Sequence, residues 1–262
     1  MENELSKVTV ERFWQMPENA LPDSKVYDCT LCRDSGWLLD GADARPCICR
    51  SEATLRRRRK QAGLSPALAE KSFAGFDLAF YPLKGRDGAK APRQQAKEAL
   101  KQAMDFAEAV CSGAPTSGLL LVGECGSGKT HLAAAIVNRI VEQGKEALFL
   151  VVPDFLDLLK ASYEDDDLHE HQLMQQAKDA PVLILDDLGA HSFSNWTKSK
   201  LFSLINYRLN HQLPCVITTN LSNEQLIDEL DMRIVSRLHE MCRVCTLPGG
   251  CDNRLRRKEV RG

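Results

Sequence analysis

Apolar positions follow two rhythms along most of this chain. From Arg93 onward, Ala96, Ala99, Leu100, Ala103, Ala107 and Val110 recur three or four apart, the spacing of one helix face. Ser112-Gly113-Ala114-Pro115 stops that pattern. Continuous apolar runs then appear at residues 119–122, 147–152, 182–185 and 215–218, with a shorter mixed run at 243–247. Such runs suit strands buried on both faces of a parallel sheet. Helical patterns separate them. One begins near Leu132 and closes at Gly144; one starts at Pro153-Asp154 with Phe155, Leu156, Leu158 and Leu159 as its apolar set. Another carries Leu201, Leu204, Ile205 and Leu209, and a last stretch runs from about Asn223 to His239. Strands alternating with helices predict an α/β fold: a five-stranded parallel sheet with right-handed crossovers, flanked by helices. Ligands of such sheets bind beyond the carboxyl ends of the strands.

Upstream of Arg93 the pattern changes. Val10, Phe13, Trp14 and Met16 form an apolar stripe on a short helix stopped by Pro17, facing either its own domain or a partner. Cys29-Thr30-Leu31-Cys32 and Cys47-Ile48-Cys49 are two close cysteine pairs with fourteen residues between them. Four thiolates in two pairs suit tetrahedral Zn²⁺, and Asp34-Ser35-Gly36 supplies turn residues between them. A metal would fold a segment too short for a core of its own. The alternatives are four unligated thiols or a redox dithiol, though no thioredoxin-like strand and helix surround the pairs. Arg56-Arg57-Arg58-Arg59-Lys60 predicts either a solvated helix face or a contact with nucleic-acid phosphates. Residues 85–92 read as a loop.

Composition narrows the picture modestly. A chain of 262 residues accommodates one domain with an appendage, here expected as a small module over residues 1–62 and a larger domain over 63–262. A net charge of −2 gives no global drive toward nucleic acid or membrane, so any such surface must be local. No apolar run approaches the ~20 residues that span a bilayer. The opening residues lack the basic-then-apolar order of a signal peptide. The expectation is a cytoplasmic protein whose ten cysteines are reduced thiols or metal ligands.

The candidate chemistry sits where the strands end. Gly123-Glu124-Cys125-Gly126-Ser127-Gly128-Lys129-Thr130 follows the first strand and opens a helix, with His131 next. The spacing is G-x-x-x-x-G-K-[ST], the phosphate-binding P-loop. Its glycines let successive N–H groups point into one hollow, and the helix start adds partial positive charge. Lys129 would reach the β- and γ-phosphates of ATP, and the Thr130 hydroxyl would sit on Mg²⁺. The third strand ends in Asp186-Asp187. Asp186 would hold Mg²⁺, an oxygen-seeking cation, and Asp187 would orient or activate the attacking water; a plain acidic turn is the alternative. The fourth strand runs into Thr218-Thr219-Asn220. The Asn220 amide either bonds the water or γ-phosphate or makes an Asx turn or helix cap. Arg233 and Arg237 lie four apart on one helix face, placed either to reach phosphate, across a subunit boundary if need be, or to pair with Asp228, Glu229, Asp231 or Glu240.

Together these segments resemble the AAA+ ATPases, and most closely the DnaC/DnaI replicative helicase loaders and their relative IstB, the transposition helper ATPase. The stretch Cys215-Val216-Ile217-Thr218-Thr219-Asn220-Leu221 and the ending Gly250-Cys251-Asp252-Asn253-Arg254 carry the resemblance to that branch, over residues 72–256. Cys29, Cys32, Cys47 and Cys49 are more loosely similar to the zinc-binding module of DnaI-type loaders. The resemblance implies that Asn220 is sensor 1, Arg237 a trans-acting arginine finger with Arg233 assisting, and Arg254 a sensor 2 residue. It places adenine near residues 73–76. It implies ATP, Mg²⁺ and Zn²⁺ as cofactors, and a replicative hexameric DNA helicase and single-stranded DNA as partners. An IstB-like helper, binding DNA and a transposase, is the alternative. Many AAA+ enzymes carry Glu where this chain has Asp187, one methylene shorter, so either slow hydrolysis or action mainly as an ATP-dependent switch is expected.

Overall fold

In a computed structural model, residues 27–40, 43–85, 90–165, 167–190 and 193–249 are described. The stripe from Val10 to Met16 and the ending that contains Cys251 and Arg254 lie outside them. The chain divides into two compact units, Met1–Glu52 and Ala53–Gly262.

The first unit is built around a turn and a hairpin. Arg33, Asp34 and Gly36 all take left-handed backbone angles, at φ 49°, 64° and 74°. Asp34 stabilises that turn by accepting the Cys29 N–H at 2.8 Å, a local bond that short polar side chains make readily. Strands β1 (Trp37–Asp40) and β2 (Asp43–Pro46) then pair antiparallel, Trp37 opposite Pro46. The Arg50 guanidinium lies 4.6 Å over the Trp37 ring.

Helix α1 (Ile48–Gln61) carries the basic run. Arg59 is half-buried and bonds Glu142 at 2.9 Å, while Arg56, Arg57, Arg58 and Lys60 are exposed. After α2 (Pro66–Ala69) and a single 3-10 turn at Leu78–Phe80, the long helix α3 (Pro92–Ser112) ends at Gly113, which adopts φ 77°. A left-handed glycine is the usual close of a helix.

Five parallel strands follow: β3 (Gly118–Val122), β4 (Leu148–Val151), β5 (Leu183–Leu188), β6 (Cys215–Thr219) and β7 (Cys242–Thr246). Their spatial order is β4-β5-β6-β3-β7. The helices between them are α4 (Lys129–Glu142), α5 (Val152–Asp165), α6 (Asp167–Asp179), α7 (Asn195–Asn210), α8 (Asn223–Leu230) and α9 (Met232–Met241). The five-stranded parallel sheet flanked by helices is the architecture the apolar runs predict.

Strand alternation sends side chains to two separate cores. Leu119 and Leu121 pack with Ala99, Ala103, Phe106, Ile136 and Ile140 of α3 and α4. Leu120, Leu183 and Leu185 pack with Leu159, Leu204 and Leu238 of α5, α7 and α9. Arg208 of α7 is fully buried in that second layer. Its guanidinium donates to the carbonyls of Ala177, Lys178, Ala180 and Pro214, joining the end of α6 to the start of β6.

Three local expectations change. The second strand stops at Val151, because Val152 and Pro153 open α5; proline fits a first helical turn but not a central strand. Leu158 points outward at 56% exposure, since Phe155, Leu156 and Leu159 share the inner face. The stretch from Asn223 to His239 is two helices rather than one. Asp231 breaks it at φ 104°, and its carboxylate caps α9 by accepting the Arg233 N–H at 3.0 Å.

Candidate functional site

The order β5-β6-β3 puts three chemically loaded strand ends side by side. Past β3 the chain turns tightly through the P-loop. Gly126 and Gly128 take φ 74° and 98°, the left-handed steps that turn successive N–H groups toward one hollow. At Gly128 the space is also filled: a Cβ would lie 2.7 Å from Phe76 and 2.9 Å from the Tyr81 hydroxyl. Tyr81 is itself buried, and its hydroxyl donates to the Ser127 carbonyl at 2.8 Å. The Ser127 Oγ is buried without a hydrogen-bond partner among the described residues.

Lys129 is 6% exposed at the start of α4. Its ammonium donates to the Gly123 and Glu124 carbonyls at 2.7 and 2.9 Å, a wrapping that offsets the cost of burying a charge. Gly123 also donates its N–H to the Thr219 carbonyl at 3.2 Å. The parallel pairing of β3 with β6 thus continues one step into the loop.

The acidic pair on β5 is shaped by a register shift. Leu185 pairs with Ile217 and Leu188 with Thr219, so Asp186 and Asp187 together oppose one residue, Thr218. This is a β-bulge, a device that re-aims side chains beside sites. Asp187 adopts φ 62°, a conformation that aspartate tolerates better than most residues. Asp186 is buried and Asp187 exposed. Burial pushes the Asp186 carboxyl up, and Asp187's charge adds to that. The Thr218 and Thr130 hydroxyls and the Lys129 charge oppose it by favouring the ionised form. Thr130 and Asp186 therefore meet as two oxygen donors, the chemistry Mg²⁺ requires.

A cavity of about 270 Å³ opens beside these groups. Cys125, Gly126, Gly128, Lys129, Thr130 and Asp187 line it together with the rings of Phe76, Phe80, Tyr81 and His131. Phe76 stacks on Tyr81 at 5.7 Å and meets His131 edge-on at 5.5 Å. His131 also contacts the Ser72 carbonyl at 2.8 Å. A phosphate-binding loop beside aromatic rings suits a nucleoside phosphate. The expected adenine segment contributes Gly75 and Phe76 to the lining, whereas Phe73 packs against the core. Phe80 and Tyr81 were not anticipated. The signal was there in four aromatics at positions 73, 76, 80 and 81 ahead of the first long helix.

The remaining candidates fall elsewhere. Asn220 is exposed directly after Thr219, and helix capping belongs instead to Ser222, whose side chain accepts the Gln225 N–H. Arg233 pairs with Asp231 at 3.0 Å. Arg237 donates to Asn206 at 2.7 Å and stacks 4.5 Å over Phe202. Neither arginine lines the cavity beside the P-loop. Glu124 packs against the Gly249 backbone, where a Cβ would strike its carboxylate. Arg254 lies outside the described residues.

The four amino-terminal cysteines converge. Their sulfurs all lie within 4.8 Å of one another, with Cys29 to Cys47 at 3.8 Å and Cys32 to Cys49 at 3.4 Å. A tetrahedral zinc with bonds of ~2.3 Å holds its sulfurs ~3.8 Å apart, so the set fits. The Gly36 N–H also donates to the Cys32 sulfur at 3.3 Å. Burial disfavours the Cys32 thiolate, but this bond and those from its three neighbours outweigh it and bring the thiol to about 7. Among the described residues this is the one group of three or more histidine, cysteine, aspartate or glutamate side chains able to share a metal ion. Likewise, no described helix is long and apolar enough to cross a membrane.

Known proteins bear on this geometry. The sequence profile of the IstB-like ATP binding proteins matches residues 91–259. The replicative helicase loader DnaI of Bacillus subtilis is 34% identical over 123 residues, covering 47% of this chain and 39% of DnaI. The replicative helicase loader DnaC of Escherichia coli is 27% identical over 122 residues, covering 47% of this chain and 50% of DnaC. The matched stretch thus spans half or less of these curated relatives. A crystal structure of DnaI superposes with a TM-score of 0.58 at 26% identity, covering 71% of this chain and 95% of that one.

The loop itself is testable. Gly128→Ala puts a Cβ into the Phe76–Tyr81 contact and strains φ 98°. ATP affinity, measured by equilibrium fluorescence titration, should fall about tenfold or more; an unchanged affinity would show that the loop does not hold nucleotide. The loop geometry, the sheet order and the profile match agree, and the chain belongs to the IstB-like ATP-binding proteins, an AAA+ family; its similar relatives include the DnaI and DnaC helicase loaders.

Proposed function

We propose that this protein is an ATP-hydrolysing helicase loader, delivering a replicative hexameric DNA helicase onto single-stranded DNA in the cytoplasm. The observation that carries the reading is the gathering of Lys129, Thr130, Asp186 and Asp187 at neighbouring strand ends beside one cavity. The resemblance to DnaI and DnaC directs it toward loading.

Each side chain then has a task. The N–H groups of residues 123–130 and the Lys129 ammonium bind the triphosphate, with Lys129 exchanging loop carbonyls for phosphate oxygens. Thr130 and Asp186 hold Mg²⁺, which when bound neutralises phosphate charge. Asp187 accepts a proton from the attacking water as its oxygen bonds the γ-phosphorus and the β–γ bridge breaks toward ADP. Asn220 steadies the water or the γ-phosphate. Arg237, held away from its own site, acts on the site of a neighbouring copy, with Arg233 beside it. Such an arrangement makes turnover depend on assembly. Arg254 completes the γ-phosphate contacts. Residues 1–62 grip the helicase, and residues 63–262 are the ATPase.

Cys29, Cys32, Cys47 and Cys49 hold a structural Zn²⁺, since a segment this small gains its fold from the metal. Mass spectrometric metal analysis should find about one zinc per chain, and a small fraction of that in Cys32→Ser. A metal-free, folded wild type would remove this part of the proposal.

The family profile favours one second reading, an IstB-like helper that binds DNA and a transposase. Co-purification separates the two. With ATP and Mg²⁺ the chain should retain a hexameric replicative helicase, and single-stranded DNA should stimulate a slow ATPase. Asp187→Asn should keep ATP binding while lowering turnover about a hundredfold. Retention of a transposase instead would favour the helper, and full turnover by Asp187→Asn would refute the assigned base.

A further inference from the structure

We propose that Thr218 is the positioning residue for the Asp186–Asp187 pair, its single hydroxyl holding both residues of the β5 bulge at once. The inference rests on the reading of that pair as the hydrolytic centre and assigns a residue that the P-loop and acidic motifs leave out.

Two residues on β5 face Thr218 alone. A bulge leaves its extra residue without a regular ladder partner, so something else must satisfy the Asp187 N–H. The Thr218 hydroxyl does, accepting that N–H at 2.9 Å. The same hydroxyl donates its proton to Asp186 Oδ1 at 2.7 Å. A hydroxyl has one proton and two lone pairs, so both bonds form together and each fixes the direction of the other. Thr218 is fully buried, so water does not compete for either bond. Its branched Cβ restricts χ1, which leaves the oxygen few other places to point.

The neighbouring threonine supports the far side. Thr219 Oγ1 donates to the Leu188 carbonyl at 2.7 Å and accepts the Leu221 N–H at 3.1 Å. The two side chains therefore brace β5 on either side of Asp187. Between them Asp187 is held at φ 62° and lines the cavity beside the P-loop. In a regular strand, Asp186 and Asp187 would point to opposite faces of the sheet. The Thr218-anchored bulge is what lets two consecutive carboxylates serve one site: one buried toward Thr130, the other exposed toward the cavity.

Valine matches threonine in shape and lacks the oxygen, so Thr218→Val against Thr218→Ser isolates the hydroxyl. Three quantities are measured: kcat and KM for ATP with Mg²⁺, equilibrium ATP affinity in excess chelator, and the gain in ATP affinity when Mg²⁺ is restored. For Thr218→Val, kcat should fall about tenfold or more and the Mg²⁺ gain should shrink, while chelator-state affinity stays within about twofold. Thr218→Ser should keep kcat within about threefold of wild type. If valine does not fold, Thr218→Ala and Thr218→Ser repeat the comparison, differing by one oxygen. A Thr218→Val enzyme with wild-type kcat and Mg²⁺ gain overturns the inference, as does a serine variant as impaired as valine. Neither result disturbs the assignment of the nucleotide site. A wild type that binds no ATP overturns that assignment and this inference with it.

Discussion

The parallel ladder between β3 and β6 is the constraint on which the site depends. It fixes the P-loop's first residue against Thr219, through the Gly123 N–H and the Thr219 carbonyl. Because β6 also pairs with β5, the same strand sets the reach from the loop to the acidic pair. Crossover helices keep all five strands parallel, so their carboxyl ends open to one edge. Lys129 begins α4, Asp186 ends a buried run, and Asn220 follows β6 directly. No long loop has to be ordered to bring Lys129 near Asp186.

The ladder also places one cation and one carboxylate, Lys129 and Asp186, in a poorly solvated corner, with Asp187 exposed beside them. Charges there need neutral partners or each other. Lys129 has two carbonyls; Asp186 has two hydroxyls and the lysine's field. These are the kinds of contact a phosphate and a metal ion can take over one for one. The aromatic wall adds an apolar counterpart, with Tyr81 tied by its hydroxyl to the loop itself. The aromatic and loop parts of the cavity lining are thereby mechanically joined.

Much of this was legible in the sequence because the P-loop needs residues of fixed type at fixed spacing, and because buried strands announce themselves as apolar runs. The paired cysteines were legible for a similar reason, as ligand spacing is local. What was hidden is what the chain achieves across distance. The bulge at Asp186-Asp187 has no signature in β5 alone; it arises from pairing with Thr218, 31 residues beyond Asp187. The break at Asp231 was missed because the helical apolar period runs through it, while a left-handed aspartate supplies a cap. Phe80 and Tyr81 lie in a weakly patterned stretch, and only folding brings Tyr81 over Gly128 and Phe80 into the cavity lining. Arg233 and Arg237 showed a shared helix face, but Phe202 and Asn206, which hold them, come from α7.

The central claim is that this strand-end corner binds the triphosphate of ATP through the loop amides and Lys129. Isothermal titration of ATP with Mg²⁺ into wild type and Lys129→Ala tests it most directly. About one site per wild-type chain is expected, with an affinity at least about tenfold weaker in the variant. A wild type that takes up no ATP, or a variant that binds it equally well, would contradict it.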